Sequence, residues 1–101
     1  MELYFKTGKL KKCYETETEA KRKWPAPVAG KYALRILQIQ IARDFDALKK
    51  LPVLKVHPLK GNRKGQWSLT IHEKWRLIFV LEATDGIEII KVLEVSKHYD
   101  D

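Results

Sequence analysis

Residues 66–81 read Gln-Trp-Ser-Leu-Thr-Ile-His-Glu-Lys-Trp-Arg-Leu-Ile-Phe-Val-Leu, and their apolar side chains recur at every second position. Trp67, Leu69 and Ile71 share one side of the chain, with Ser68 and Thr70 opposite. After a short break, Trp75, Leu77, Phe79 and Leu81 again share a side. A period of two marks extended strands with a buried face. The second strand also carries Ile78 and Val80 on its other side, so it reads as covered on both. Downstream, Asp85-Gly86 is a hairpin-turn signal, and residues 87–95 form a third apolar strand.

Upstream the period changes. Residues 52–65, PVLKVHPLKGNRKG, are rich in Pro, Gly and Lys and read as a loop. Residues 27–51 read as one long amphipathic helix whose apolar stripe is Leu34, Leu37, Ile41, Phe45 and Leu48, widened by Ala33 and Ile36. Pro27 near its first turn and Pro52 past its end fit the positions proline tolerates. Trp24-Pro25-Ala26-Pro27 is a rigid corner, with Trp24 expected to plug the space between helices. Residues 10–22 read as a shorter, mostly solvated helix, with Thr7 as its N-cap. Residues 2–6 place Leu3 and Phe5 on one side of a first strand. The order is β-α-α-β-β-β, an α+β fold in which two helices pack on an antiparallel sheet.

The chain has 101 residues, 45% of them hydrophobic, enough for a single domain over 1–101 with one modest core. Twenty Lys and Arg against 13 Asp and Glu leave a net charge of +7. The balance is uneven: residues 51–81 carry six cations and one acid, residues 82–101 two cations and six acids. A basic excess points to an anionic partner, nucleic acid ahead of membrane because no basic amphipathic helix with an aromatic face occurs. No apolar run approaches the ~20 residues of a membrane span, and the first ten residues lack a signal-peptide core. Cys13 stands alone, which excludes an intrachain disulfide and a cysteine-rich zinc site and fits a reduced cytoplasmic setting. The three histidines lack zinc-ligand spacing, so neither metal nor cofactor is expected.

The stretch Val56-His57-Pro58-Leu59-Lys60-Gly61, continued by Gly65-Gln66-Trp67-Ser68 and Trp75-Arg76-Leu77-Ile78-Phe79, resembles the HPLKG…GxWS…WRLIF signature of HigB-like toxins in the RelE/ParE superfamily. The order of elements resembles that family as well. The resemblance implies a type II toxin that acts in the cytoplasm as a ribosome-dependent mRNA endoribonuclease and inhibits translation. It also implies a cognate antitoxin as partner, of HigA-like helix-turn-helix type, with the ribosome and mRNA as targets and no membrane. Relatives end their last strand with Asp-Tyr-His, whereas this chain has Lys97-His98-Tyr99. Both ring types remain available there, while Lys97 stands in place of the acid.

Metal-free cleavage through the RNA 2′-OH needs a base, an acid for the 5′-oxygen and cations for the phosphorane. With the resemblance, the catalytic candidates are His57, Lys60, Arg76, His98 and Tyr99. The candidates for binding RNA are Lys55, Lys60, Arg63, Lys64 and Arg76, which suit a phosphate backbone. Each has an ordinary alternative. His57 could be a surface-loop histidine bonded to backbone, and Arg76 a strand arginine in a cross-strand ion pair with Glu88 or Glu94. The lysines could be a solvated face, and His98 and Tyr99 a frayed end. Trp67 and Trp75 fall in phase with the core and are expected to pack there. Two rival functions share the fold: a ParE-like inhibitor of DNA gyrase, which needs neither histidine, and a relic that binds RNA and antitoxin without cleaving.

Overall fold

The computed structural model describes residues 1–97. Strand β1 (Glu2–Phe5) is followed by helices α1 (Gly8–Glu15), α2 (Glu17–Lys23), α3 (Ala26–Ile41) and α4 (Phe45–Lys49). Strands β2 (His57–Pro58), β3 (Trp67–His72), β4 (Trp75–Thr84) and β5 (Ile87–Lys97) complete the described chain. They form one five-stranded sheet in the order β1-β5-β4-β3-β2. β1 runs parallel to β5, so the sheet is mixed and not antiparallel throughout as expected: β1 is joined to the rest of the sheet by a long crossover through the helices and not by a hairpin, while every other neighbouring pair is antiparallel. The α+β class and the strands expected around 66–95 are present. Asp85 and Gly86, at φ 53° and 78°, make the tight β4–β5 connection that a type I′ turn requires.

Three expected element boundaries need correction. The helix expected over 10–22 is two helices, because Thr16 adopts extended φ/ψ and its hydroxyl and N–H both bond to the Lys12 carbonyl. Such a side-chain bond offers the backbone an alternative to the next helical turn. The helix expected over 27–51 ends at Ile41. Asp44 accepts the Ala47 N–H at 2.8 Å and starts α4 as a fresh N-cap, a bond that holds its carboxyl below the usual range. The loop expected over 52–65 contains β2 and two 3₁₀ turns, Pro52–Leu54 and Gly61–Arg63. By contrast Thr7 caps α1 as expected, accepting from the Leu10 N–H.

The buried face of α3 also differs from the expected stripe. Leu34, Leu37 and Ile41 are 44%, 47% and 74% exposed, while Val28, Ala29, Tyr32, Ile36 and Ile39 are buried. This helix is apolar on both faces, so period alone does not choose between them. Its polar residues do. The buried Arg35 donates to the Thr70 and Ile71 carbonyls of β3 at 2.9 and 3.1 Å and to Gln38 Oε1 at 2.9 Å. The buried Tyr32 hydroxyl donates to the Leu10 carbonyl of α1 at 2.8 Å. Burial pushes the Arg35 pKa down and the Tyr32 pKa up. These bonds turn the Tyr32–Arg35–Ile36 side of α3 towards the sheet.

The core lies between that side and one face of the sheet. It joins Tyr32, Ile36 and Ile39 with Leu69, Ile71, Leu77, Phe79, Ile90 and Val92. Trp24 is buried and packs on Tyr32 with ring centroids 4.8 Å apart, the plug expected of it. Trp67 meets Phe45 edge-on at 4.8 Å, and Trp75 is half-buried against the same core. Ile36→Ala should therefore cost about 3 kcal/mol, a large-to-small change in a filled core, whereas Leu37→Ala should stay within about 0.5 kcal/mol. Urea unfolding of the two variants, read at constant m, checks which side of α3 is inside.

Candidate functional site

The helix-free face of the sheet is assembled by register. β2 pairs His57 with Ser68, β3 pairs Ser68 with Ile78, and β4 pairs Ile78 with Glu94. Directly opposed residues point to the same face, so these four form a row crossing four strands, roughly 14 Å from end to end at ~4.8 Å per strand. A second row, two residues along, contains Thr70, Arg76 and Ser96. Glu94 joins this face only because of an irregularity. Phe79 pairs with Val92 and Ile78 with Glu94, leaving Leu93 as one extra residue on β5. Ile90 and Val92 face the core, and strict alternation would send Glu94 there too; the bulge reverses it.

His57 is half-buried, and its Nδ1 lies 2.8 Å from the Lys55 carbonyl oxygen. A carbonyl only accepts, so Nδ1 carries a proton, and Nε2 is enclosed by the surrounding chain. Lys55 is in the left-handed region, at φ 48° and ψ 49°, where it closes the Pro52–Leu54 turn, and it is exposed. The loop after β2 is folded on itself. Leu59 is buried, and its N–H donates to the Gln66 carbonyl. Gly61 and Gly65 take φ of 66° and 97°, conformations side chains rarely adopt, and flank the second 3₁₀ turn. Lys60 and Lys64, at the ends of that turn, are exposed.

Arg63 is oriented differently from its lysine neighbours. Its Nη2 donates to Glu94 Oε2 at 2.9 Å, with both side chains about two-fifths exposed. This ion pair brings the loop after β2 back to the bulged part of β5. Arg76 donates through Nη1 to the carbonyls of Glu73 and Trp75, which aims its guanidinium along the β3–β4 end. Of the two acids weighed as its partners, Glu88 accepts the Phe45 N–H at 3.0 Å, and Glu94 accepts from Arg63. Lys97 pairs with Trp75, which places it on the helix side of the sheet, exposed at the strand end.

Of the residues proposed from sequence, His57 and Arg76 share the helix-free face. Lys55, Lys60, Arg63 and Lys64 surround its β2 side. His98 and Tyr99 lie outside the described residues. Ser68, Thr70 and Ser96 are not among the residues proposed from sequence, and Glu94 enters there only as an acid weighed against Arg76. The alternation of Ser68 and Thr70 with apolar residues could have revealed those two, but the side of Glu94 depends on the bulge. A recess of about 460 Å³ between β1 and α1, lined by Tyr4, Lys6, Tyr14 and Gln40 among others, contains none of these residues. Among the described residues no group of three or more His, Cys, Asp and Glu converges to hold a metal ion. No helix of the described residues is long and apolar enough to cross a membrane. This side of the sheet thus holds an oriented imidazole at β2 and a guanidinium at the β3–β4 end, with Ser68 and Ile78 buried between them and exposed lysines in the loop after β2.

Comparison with known proteins agrees with this fold. The chain is 36% identical over 55 residues to the Endoribonuclease HigB of Proteus vulgaris, covering 54% of this chain and 59% of that protein. The match thus spans less than two thirds of that relative's length. Among solved structures, it is similar to a YoeB/ParE toxin from Agrobacterium tumefaciens, with a TM-score of 0.59 and 24% identity over 98% of this chain and 100% of that one. It is also similar to a chain of the YoeB–YefM complex from Staphylococcus aureus, with a TM-score of 0.57 and 20% identity over 98% of both chains. YafQ from E. coli strain BL21(DE3) gives 0.53 and 20% over 93% of this chain and 89% of that one. A family model described as the RelE-like toxin of the type II toxin–antitoxin system HigB matches residues 3–94, and the chain accordingly belongs to the HigB-like toxin family.

Proposed function

We propose that this chain is an mRNA endoribonuclease that cuts messages on the ribosome, by a metal-independent attack of the RNA 2′-OH. Family membership supports a toxin of this kind, and the curated relative is itself an endoribonuclease. The observation that carries the reading is His57. Its Nδ1 donates to the Lys55 carbonyl, which leaves the base role to Nε2 on the same side of the sheet as Arg76; Nε2 is enclosed by the protein, so the scheme requires the chain around β2 to open for the 2′-hydroxyl to reach it. In this scheme Nε2 takes the 2′-hydroxyl proton, and the 2′-oxygen attacks the adjacent phosphorus. Lys60 and Arg76 stabilise the phosphorane charge. His98 or Tyr99 returns a proton to the departing 5′-oxygen. The products are a 2′,3′-cyclic phosphate and a 5′-hydroxyl. The controlling partner is an antitoxin of HigA-like helix-turn-helix type, and the setting is the cytoplasm.

Replacing His57 with Ala should lower cleavage by about 100-fold while the unfolding midpoint changes little. Single-turnover cleavage on programmed ribosomes, with the fragment ends identified, measures this. A 2′-deoxy nucleotide before the cut should abolish the reaction. Fragments with 3′-hydroxyl ends would overturn the mechanism, and gyrase-linked DNA breaks without RNA cuts would overturn the activity.

The loop predicts an unequal response to charge removal. Lys60→Ala and Lys64→Ala should each flatten the slope of log K against log salt for RNA binding by about 0.7–0.9. Arg63→Ala should leave that slope nearly unchanged, because its charge already faces Glu94. Glu94→Gln should steepen it by a similar amount, with stability altered by less than about 1 kcal/mol because the pair is half-exposed. Filter binding over a salt series separates the four variants.

A further inference from the structure

Helix α3 presents to solvent a second apolar face that the fold leaves uncovered. Pro27, Gly30, Leu34, Leu37 and Ile41 follow one another at spacings of three, four, three and four, and all are exposed. Leu37 is 47% and Ile41 74% exposed, on the side of α3 opposite the buried Tyr32, Ile36 and Ile39. At ~1.5 Å per residue the stripe runs roughly 21 Å, the length of one facing helix of about 14 residues. Gly30 lies near its middle, and a Cβ added there would meet nothing within 4 Å. It forms a notch in which another backbone can come close.

The charge around the stripe indicates what would cover it. α3 contains no Asp or Glu, Lys31 is exposed beside Leu34, and the chain as a whole carries +7. Packing two copies through this face would bring like charges together, whereas a helix with an apolar seam and acidic flanks complements it. The stripe also points away from the sheet, on the opposite side of the molecule from His57 and Arg76.

We infer that the outward face of α3 is a docking surface for an amphipathic, acid-flanked helix of the antitoxin. This rests on the toxin reading above and adds where the partner sits: behind the sheet, leaving the His57 face uncovered. The probe is the antitoxin encoded beside this gene, titrated calorimetrically onto the full chain and onto three variants. Gly30→Gln adds bulk where its own chain leaves open space, Leu37→Asp places a charge in the seam, and Lys31→Glu reverses the flank. Gly30→Gln and Leu37→Asp should each weaken binding by roughly 100-fold, as expected of residues at the centre of an interface. Lys31→Glu should slow association at low salt. Cleavage by the free variants should equal that of the parent, a result that damage to the fold would not leave intact. Unchanged affinity in both Gly30→Gln and Leu37→Asp would overturn the inference while leaving the nuclease reading in place. A concentration-dependent dimer of the parent chain, lost in those variants with antitoxin affinity unchanged, would overturn it in favour of a second copy. A parent chain that neither cleaves nor binds would remove the toxin reading itself.

Discussion

The pairing of β4 with β5 is the constraint on which the rest of the molecule depends. It runs from Thr84 opposite Ile87 to Trp75 opposite Lys97 and sets which side chains face the helices. β1 joins β5, and β3 joins β4, so each inherits its sidedness from this pair. A strand shifted by one residue would exchange its buried and exposed sets, which makes the register costly to disturb. The extra residue at Leu93 changes sidedness once, within β5. On one side of it Ile90 and Val92 enter the core; on the other, Glu94 faces away from it while Val95 packs inward.

That local change links the sheet to the basic loop. Glu94 meets Arg63 at 2.9 Å and ties the loop after β2 to the last strand. The loop's cations are therefore not equivalent. Lys60 and Lys64 extend into solvent, while Arg63 has a carboxylate for company. On the neighbouring strand, His57 is oriented by a carbonyl from a residue with left-handed backbone, so a strained turn sets the tautomer of the candidate base. The ordinary alternative weighed for His57, a backbone-bonded loop histidine, describes the same contact, which fixes the ring and leaves the enclosed Nε2 as its other nitrogen.

Much of this was legible before the fold was known. The period of two over 66–81, the Asp85-Gly86 turn, the Thr7 cap and the packing role of Trp24 all express short-range rules, and each appears in the structure. α3 shows where such rules stop. Leu34, Leu37 and Ile41 have helical spacing as regular as that of Tyr32, Ile36 and Ile39, and the second set is buried. Choosing between them required knowing that Arg35 would find the Thr70 and Ile71 carbonyls and Tyr32 the Leu10 carbonyl. Those bonds join residues 22 to 36 positions apart, beyond the reach of any periodic pattern. The breaks at Thr16 and Asp44 were less visible, since each arises from a polar side chain bonding nearby backbone within an otherwise helical stretch.

The sequence by itself determined the α+β class, the central strands, the basic character of residues 51–81 and the HPLKG and WRLIF motifs that carry the family resemblance. These are properties of residue type and spacing, which physical chemistry reads locally. Only the tertiary structure decided the parallel β1–β5 pairing, the two-residue β2 that brings His57 beside Ser68, and the side to which Glu94 points. Each depends on contacts between distant segments, where one extra residue in a strand or one buried hydrogen bond outweighs local preference.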